Sequence, residues 1–249
     1  MRLPLHRIQC FLLVLAGLLA SSVAWAKPAA RVGEPLRLAV PGAPDAFYYR
    51  PNAGKGIKPV LMFLHGRGAN VKDNCRSWAK VGRQFGWVVC PQGPDDRGNG
   101  ARGWNNNATV GGAIAKATVA ALRAKYKRKV QLRGNVMIGF SEGAFVAMQV
   151  ALRDPVTWNR WLILAANDKY WVGDGAQLLH ANRSKIKRVF LFTGEADEVA
   201  ANTRRVAELL RAERIGVKMK IAPRMGHEIA ADRMVVSYRA PLAWLVAAK

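Results

Sequence analysis

The chain of 249 residues carries 39 Lys and Arg against 16 Asp and Glu, and 51% of its residues are apolar. This apolar fraction excludes a disordered or collagen-like chain and is large enough for a sizeable core. At this length we expect one large domain, because α/β folds often reach about 200 to 250 residues around a single sheet.

Residues 1–26 have the pattern of a secretory signal peptide. A basic start is followed by an apolar run at 11–20 and by a small-x-small site, Ala-Trp-Ala, at 24–26. The apolar run alone is too short to span a bilayer, although an uncleaved anchor is the alternative. We therefore predict an exported mature chain, residues 27–249, that is secreted or periplasmic and has no transmembrane segment.

Eight apolar segments rich in β-branched residues are predicted strands. From the third onward they alternate with segments of helical periodicity, which indicates a parallel sheet covered by helices on both faces. The first two have no helix between them, so we expect an antiparallel edge there. The predicted strands are residues 36–40, 47–50, 60–65, 87–91, 135–140, 161–166, 188–193 and 217–222. The predicted helices are residues 71–85, 110–125, 142–152, 200–214 and 229–247.

Residues 65–70, His-Gly-Arg-Gly-Ala-Asn, directly follow the third predicted strand. Their glycines let the backbone approach a bound oxygen closely. The main-chain N–H group of Arg67 is therefore a candidate donor to an oxyanion, and that of Glu142, the residue after Ser141, is the second candidate. The alternative for residues 65–70 is a plain glycine-rich turn. We expect His65 to brace this loop rather than to react.

Cys75 and Cys90 are the two cysteines of the predicted mature chain. An even pair in an exported protein suggests one disulfide, but the sequence leaves open whether the two meet or remain buried free thiols. Neither has a Cys or His at the spacing of metal ligands, so no zinc site is expected.

Two irregular segments, residues 91–112 and 167–187, follow predicted strands. Ligands of open α/β sheets bind beyond the carboxyl ends of the strands, so these segments are expected to form the rim of a pocket. The aromatic residues Trp104, Tyr170 and Trp171 are the predicted substrate contacts in that rim.

Residues 98–103 match a dinucleotide-binding fingerprint letter by letter. They lack an adjoining strand, an apolar helix start and the acidic residue that would bind a ribose. Nucleotide binding is therefore not predicted. No P-loop pattern and no cluster of metal ligands occurs in the sequence, so we predict neither a cofactor nor a metal.

The pattern most indicative of chemistry is Gly-Phe-Ser-Glu-Gly at residues 139–143, between a predicted strand and a predicted helix. It is typical of a nucleophile elbow, in which a tight turn makes a serine hydroxyl project from the end of the sheet. The following helix also directs its N-terminal donors at the site. Ser141 is therefore the candidate nucleophile.

A serine needs a base to activate it, and in this arrangement the acid and then the histidine follow the serine in the chain. His227 lies after the last predicted strand, where a base can reach the end of the sheet, whereas His180 is expected on the surface. Asp197, which follows the strand at 188–193, is the favoured acid. The alternatives for the acid are Asp168, Glu195 and Glu198.

These motifs resemble the α/β-hydrolase superfamily. Within it the chain is similar to small carboxylesterases of the phospholipase/carboxylesterase and dienelactone hydrolase type, with some likeness to secreted polyhydroxybutyrate depolymerases and feruloyl esterases. The resemblance implies an α/β-hydrolase fold, with an eight-stranded, mostly parallel sheet, helices on both faces and no large lid. The matching segments are the oxyanion strand and loop at 60–70, the elbow at 138–143, the acid loop at 193–197 and the base at 226–227.

By resemblance, Ser141 is the nucleophile, Asp197 the acid, His227 the base, and Arg67 with Glu142 the oxyanion donors. One departure is Glu142, because many relatives have Gln followed by two glycines there. A carboxylate beside the nucleophile disfavours an anionic intermediate unless it points away or is paired.

Two functions from different classes follow. The first is a secreted, metal-free serine hydrolase that cleaves small or polymeric esters, with peptides and thioesters not excluded. The second is a non-catalytic module of the same fold that binds envelope polyanions. Removing residues 1–26 leaves a net charge of +21, and such a field attracts polyanions of any kind. No nucleic-acid recognition motif is found, so no specific nucleic acid is predicted as a partner.

Overall fold

The β-branched segments form a central sheet of eight strands in the computed structural model, which describes residues 32–52, 56–170 and 173–247. The predicted signal peptide lies outside these residues. Each observed strand begins and ends within two residues of its predicted limits. The strands are β1 (Leu36–Leu38), β2 (Ala46–Tyr49), β3 (Val60–Leu64), β4 (Trp87–Cys90), β5 (Val136–Phe140), β6 (Arg160–Leu164), β7 (Arg188–Gly194) and β8 (Val217–Ala222).

The strands are arranged in the order β1-β2-β4-β3-β5-β6-β7-β8. The pairs of β2 with β1 and with β4 are antiparallel, and all later pairs are parallel. The expected antiparallel edge and mostly parallel sheet are therefore confirmed. Because the parallel strands point the same way, the loops that follow β3, β5, β7 and β8 meet at one edge of the sheet, the carboxyl edge.

In the described part of the chain, six α-helices cover the sheet on both faces. Alternation along β3 shows the division, since Val60, Met62 and Leu64 belong to one apolar core and Leu61 and Phe63 to the other. Helices α2, α3 and α5 pack on the first core, and α1 and α6 on the second. The helices are α1 (Val71–Gly82), α2 (Ala108–Tyr126), α3 (Glu142–Arg153), α4 (Gly175–Asn182), α5 (Ala200–Ala212) and α6 (Met234–Val246).

Helix α1 begins at a side-chain cap and is joined covalently to the sheet. Asn70 accepts a hydrogen bond from the backbone N–H of Asp73, which satisfies one of the free donors of the first turn. Cys75 in α1 and Cys90 at the end of β4 form a disulfide, with their Cα atoms 5.8 Å apart. The pairing that the sequence left open is therefore present in the structure.

Two features of the rim differ from the expectation of irregular segments. Residues 167–187 contain the short helix α4, and the region around residues 98–103 forms part of a small antiparallel sheet rather than a nucleotide-binding turn. The three strands of that sheet are Ala69–Asn70, Asp95–Asp96 and Ala101–Gly103.

Helix α6 begins at Met234, five residues later than predicted, because residues 229–233 form turns. Among the described residues, no helix is long and apolar enough to cross a membrane.

Candidate active site

Ser141 occupies a sharp turn between β5 and α3. Its φ of 56° lies in the left-handed region, where a non-glycine residue is strained. A Cβ at Gly139 would lie 2.4 Å from the carbonyl oxygen of Gly143, and a Cβ at Gly143 would lie 2.2 Å from that of Leu64. Only glycine fits at either position, because α3 lies against β5 at Gly139 and against the end of β3 at Gly143.

Ser141, His227 and Asp197 form a continuous hydrogen-bonded chain. The Oγ of Ser141 lies 2.8 Å from Nε2 of His227, and Nδ1 of the same ring lies 3.0 Å from Oδ1 of Asp197. With its proton on Nδ1, the imidazole donates to the carboxylate and accepts from the hydroxyl. The side chain of Asp197 is 1% exposed, whereas that of His227 is 36% exposed, so the acid is buried and the base reaches solvent.

The Asp197 carboxylate is fixed by one donor from the end of β7 and one from its own loop. Its Oδ2 accepts from the hydroxyl of Thr193 at 2.8 Å, and its Oδ1 also accepts from the backbone N–H of Val199 at 3.0 Å. The loop carrying Asp197 packs closely on the one before His227, because a Cβ at Gly194 would lie 1.9 Å from the Met225 carbonyl oxygen. A side chain at residue 194 would therefore force these two loops apart.

Two of the alternative acids have other partners. Asp168 accepts from the side chains of Arg205 and Asn202. The hydrogen bond from Arg205, together with that from Asn202, lowers the pKa of Asp168 despite some burial. Glu195 accepts from the backbone N–H of Arg224 at 3.3 Å. Neither carboxylate is hydrogen-bonded to a histidine within the described residues.

The alternative acid Glu198 and the other histidine, His180, are not part of the hydrogen-bonded chain that contains Ser141. Glu198 is exposed and lines the cavity beside His227. His180 is on the surface as expected, where its Nδ1 lies 3.1 Å from a carboxylate oxygen of Glu213.

The two predicted oxyanion donors lie on either side of Ser141. Arg67 is in the loop after β3, and Glu142 is the first residue of α3. Within the part of the chain that the structure describes, neither backbone N–H has a hydrogen-bond acceptor. The loop is held in place by the N–H of Gly68, which donates to the carbonyl of Arg102 at 2.8 Å. Both N–H groups are thus available to an oxygen bound next to Ser141.

The Glu142 side chain is paired rather than free. Its Oε1 accepts from Nε and Nη2 of Arg67, both at 3.1 Å, and its Oε2 accepts from the backbone N–H of Trp104 at 2.9 Å. The Glu142 side chain is 3% exposed and that of Arg67 is 54% exposed. The negative charge that Glu142 places beside Ser141 is therefore balanced by the side chain of Arg67.

Trp104 does not line the rim, contrary to the sequence prediction. Its side chain is fully buried, its Nε1 donates to the His65 carbonyl at 2.9 Å, and its ring lies 5.0 Å from the His65 ring. The indole therefore supports the loop after β3 from inside the protein. Burying so large an apolar ring is more favourable than leaving it exposed to water. The side chain of Tyr170 and all of Trp171 lie outside the described residues.

His65 braces the loop, as expected. Its Nδ1 donates to the carbonyl of Gly66 at 2.8 Å, and its Nε2 accepts from the N–H of Gly93 at 3.0 Å. Burial lowers the pKa of His65 to about 4, and the hydrogen bond to Gly66 opposes this only in part. The imidazole is therefore neutral at pH 7 and fixed in one tautomer.

Ser141 opens into a small polar cavity of about 270 Å³. Sequence reasoning missed four of the residues that line it. Ala165 and Asn167 follow β6, and their position after a strand was the available signal, whereas nothing in the sequence distinguished Asn106 or Val199. Among the described residues, no group of three or more His, Cys, Asp and Glu could hold a metal ion. The lining residues are Arg67, Asn106, Ser141, Glu142, Ala165, Asn167, Glu198, Val199 and His227.

Comparison with solved structures places the fold. No protein-family model matches the chain, and no curated protein matches it. Esterase PE8 has a TM-score of 0.58 at 19% identity, over 84% of this chain and 100% of its own. The Bacillus cereus carboxylesterase has a TM-score of 0.57 at 18% identity, over 80% and 92% of the two chains. An S-formylglutathione hydrolase from Agrobacterium tumefaciens has 0.59 at 17%, over 81% and 88%. The chain has the α/β-hydrolase fold.

Proposed function

We propose that the protein is a secreted serine hydrolase of the carboxylesterase type, which cleaves ester bonds through Ser141, His227 and Asp197. The observation that carries the proposal is the hydrogen-bonded chain from the Ser141 hydroxyl through His227 to Asp197. An exposed hydroxyl, a ring that can take its proton and a buried acid that holds the ring are the parts that acyl transfer requires.

The reaction proceeds in two halves. His227 Nε2 takes the proton of Ser141 as Oγ attacks the ester carbonyl, and a tetrahedral intermediate forms. Its collapse breaks the bond to the alcohol, which leaves with the proton from His227. Water then attacks the acyl-enzyme with the same base, which releases the carboxylic acid and restores the serine. Asp197 stabilises the charged ring in both halves.

The oxyanion of each intermediate is proposed to accept from the backbone N–H groups of Arg67 and Glu142. Such donors contribute several kcal/mol to barrier lowering in comparable sites. The ion pair between the two side chains supports this arrangement, because it removes the repulsion that a free Glu142 carboxylate would exert on the oxyanion.

Ester substrates are supported by the names of the similar structures, which include an esterase and a carboxylesterase. The S-formylglutathione hydrolase among them keeps thioesters as an alternative within the same chemistry. Export is supported by the sequence pattern of residues 1–26 and by the disulfide, since disulfides persist in oxidising compartments. A mature N-terminus at Lys27, measured by mass spectrometry, is the expected result.

The decisive test combines a fluorophosphonate probe with hydrolysis of short-chain p-nitrophenyl esters. We expect the wild-type protein to be labelled and active, and Ser141→Ala to lose labelling. Ser141→Ala and His227→Ala should each lose about 10³-fold or more in turnover, because the parts of such a site act as a unit. The surface histidine provides the matched control, since His180→Ala should change neither readout.

Turnover retained by Ser141→Ala would disprove this mechanism. A folded wild-type protein without labelling or turnover would favour the second function, the non-catalytic polyanion-binding module, which the net charge of +21 on residues 27–249 supports.

A further inference from the structure

The strongest concentration of positive charge lies far from the cavity, at the edge where the parallel strands begin. Six of the eleven residues 123–133 are Lys or Arg, and none is Asp or Glu. They span the end of α2 and the segment leading to β5. We call this surface the basic face. Its members are Ile57, Lys58, Arg123, Lys125, Lys127, Arg128, Lys129, Leu132 and Arg133.

Backbone hydrogen bonds hold the two segments of the basic face side by side. The N–H of Lys58 donates to the carbonyl of Lys129 at 3.0 Å, and the N–H of Gln131 donates to the carbonyl of Lys58 at 2.9 Å. The indole of Trp87 donates to the same Lys129 carbonyl at 3.2 Å. The cations are therefore presented on an ordered platform rather than on a free tail.

The charge of the basic face is uncompensated within the protein. Among the described residues, no carboxylate forms an ion pair with any of its cations. Lys127, Arg128, Lys129 and Arg133 are all exposed. Like charges this close repel one another, so an external anion that approaches them gains attraction from several cations at once.

Apolar side chains stand among these cations. Ile57 is 61% exposed and Leu132 is 55% exposed. A groove of about 560 Å³ lies between them, lined also by Val130 and by the side chains of Arg123 and Arg128. A linear polyanion would need the cations alone, whereas a bilayer of anionic lipid offers phosphates to the cations and an apolar interior to Ile57 and Leu132.

We propose that the basic face docks the protein onto an anionic phospholipid bilayer. The cations bind the headgroups, and Ile57 and Leu132 insert beneath them. The proposal does not depend on the proposed hydrolase activity, because no residue of the basic face lines the cavity that contains Ser141.

The test is cosedimentation with vesicles of phosphatidylcholine alone or with about one third phosphatidylglycerol. We expect binding only to the anionic vesicles, with release at high salt. Arg128→Gln/Arg133→Gln should weaken binding at least tenfold, since each cation near such a surface contributes on the order of 1 kcal/mol. Leu132→Ser should weaken it about threefold to tenfold through lost apolar burial.

Helix α5 offers matched controls, because Arg204, Leu209 and Arg211 are exposed and lie outside the basic face. Arg204→Gln/Arg211→Gln and Leu209→Ser should bind vesicles as the wild type does. Thermal unfolding of every variant verifies that it is folded. Absence of binding to anionic vesicles, or equal losses in the α5 variants, would overturn the proposal. Tight binding to dextran sulfate together with no effect of Leu132→Ser would also overturn it, in favour of a linear polyanion.

Discussion

At the scale of single residues, the Arg67–Glu142 ion pair is the charged contact that lies next to Ser141. The carboxylate is buried directly after the nucleophile, and its charge is balanced by a guanidinium that remains half exposed. A buried charge that loses its partner is costly and affects its neighbours strongly. The pair therefore contributes to the electrostatics of the proposed oxyanion site, although neither side chain is a predicted donor.

We predict that Arg67→Ala lowers kcat/KM about 10- to 100-fold, mostly through kcat, because an unpaired Glu142 would repel the oxyanion. Arg67→Ala/Glu142→Gln should recover most of this loss, since the amide removes the charge and both backbone N–H groups remain. Glu142→Gln alone is the control for the lost ion pair. Steady-state kinetics on a short ester measure kcat/KM for each variant. If the double variant has the same kcat/KM as Arg67→Ala, the loss does not come from the unpaired Glu142 charge.

His65 gives a second residue-scale prediction, on stability against pH. Its pKa is about 4 in the folded protein and an ordinary 6.5 when unfolded, so the unfolded chain binds the extra proton between these values. Unfolding is therefore favoured as the pH falls from 6.5 to 4, by roughly 3 kcal/mol in all. His65→Gln should remove that part of the pH dependence, although it also lowers stability at pH 7. Urea unfolding from pH 7 to pH 4.5 measures both slopes, and parallel slopes would contradict the prediction.

Sequence reasoning about individual residues relied on side chains that follow a strand, and the catalytic roles that it assigned to them stay a prediction. Ser141, Asp197 and His227 each follow one, and the structure brings the three within hydrogen-bond distance. It failed for Trp104, because an aromatic residue in a polar segment is equally consistent with a substrate contact and with a buried support. The partner of the Glu142 carboxylate could not be predicted from the sequence either, because Arg67 lies 75 positions away in the chain.

At the scale of elements, the turn from β5 into α3 has no room for a side chain at Gly139 or Gly143. The sequence predicted the boundary between β5 and α3 well. Buried parallel strands are continuous apolar runs, whereas amphipathic helices repeat their apolar residues about every 3.6 positions. Helix α4 was missed because its eight residues bury only Gly175 and Leu179, too few to produce a periodic pattern. The small sheet next to α1 was missed for a similar reason, since its strands have two or three residues.

Two glycines test this element-scale view. Gly143→Ala places a methyl group 2.2 Å from the Leu64 carbonyl oxygen, so we expect a loss of at least about 3 kcal/mol of stability or a failure to fold. Gly112→Ala, inside α2, meets only Val150 at 3.6 Å, an ordinary contact. It should stabilise the protein by about 0.5–1 kcal/mol, because alanine is the better helix former. Chemical denaturation compares the two, and equal effects would contradict the close approach of α3 to β3.

At the scale of the whole molecule, the Cys75–Cys90 disulfide joins α1 to β4, away from the elements that carry the site. It closes a segment with a sequence separation of 15. Restricting such a segment in the unfolded chain is worth about 3 kcal/mol. We predict that Cys75→Ala/Cys90→Ala lowers the free energy of unfolding by roughly 2–4 kcal/mol and leaves the kcat/KM of the proposed ester hydrolysis unchanged in the folded protein. Titration of the unfolded wild type for free thiols should find neither cysteine reactive.

The sheet also separates the basic face from the cavity. The basic face precedes β3 and β5, and the cavity lies beyond their carboxyl ends, so the length of β3, about 16 Å, stands between them. A molecule resting on lipid through the basic face would open its cavity toward the water. Ester bonds of the supporting bilayer would then be out of reach, and the substrates would be dissolved or polymer-borne esters above the membrane. Vesicle-bound enzyme should therefore hydrolyse a soluble ester at its free rate while releasing no fatty acid from the vesicles that hold it.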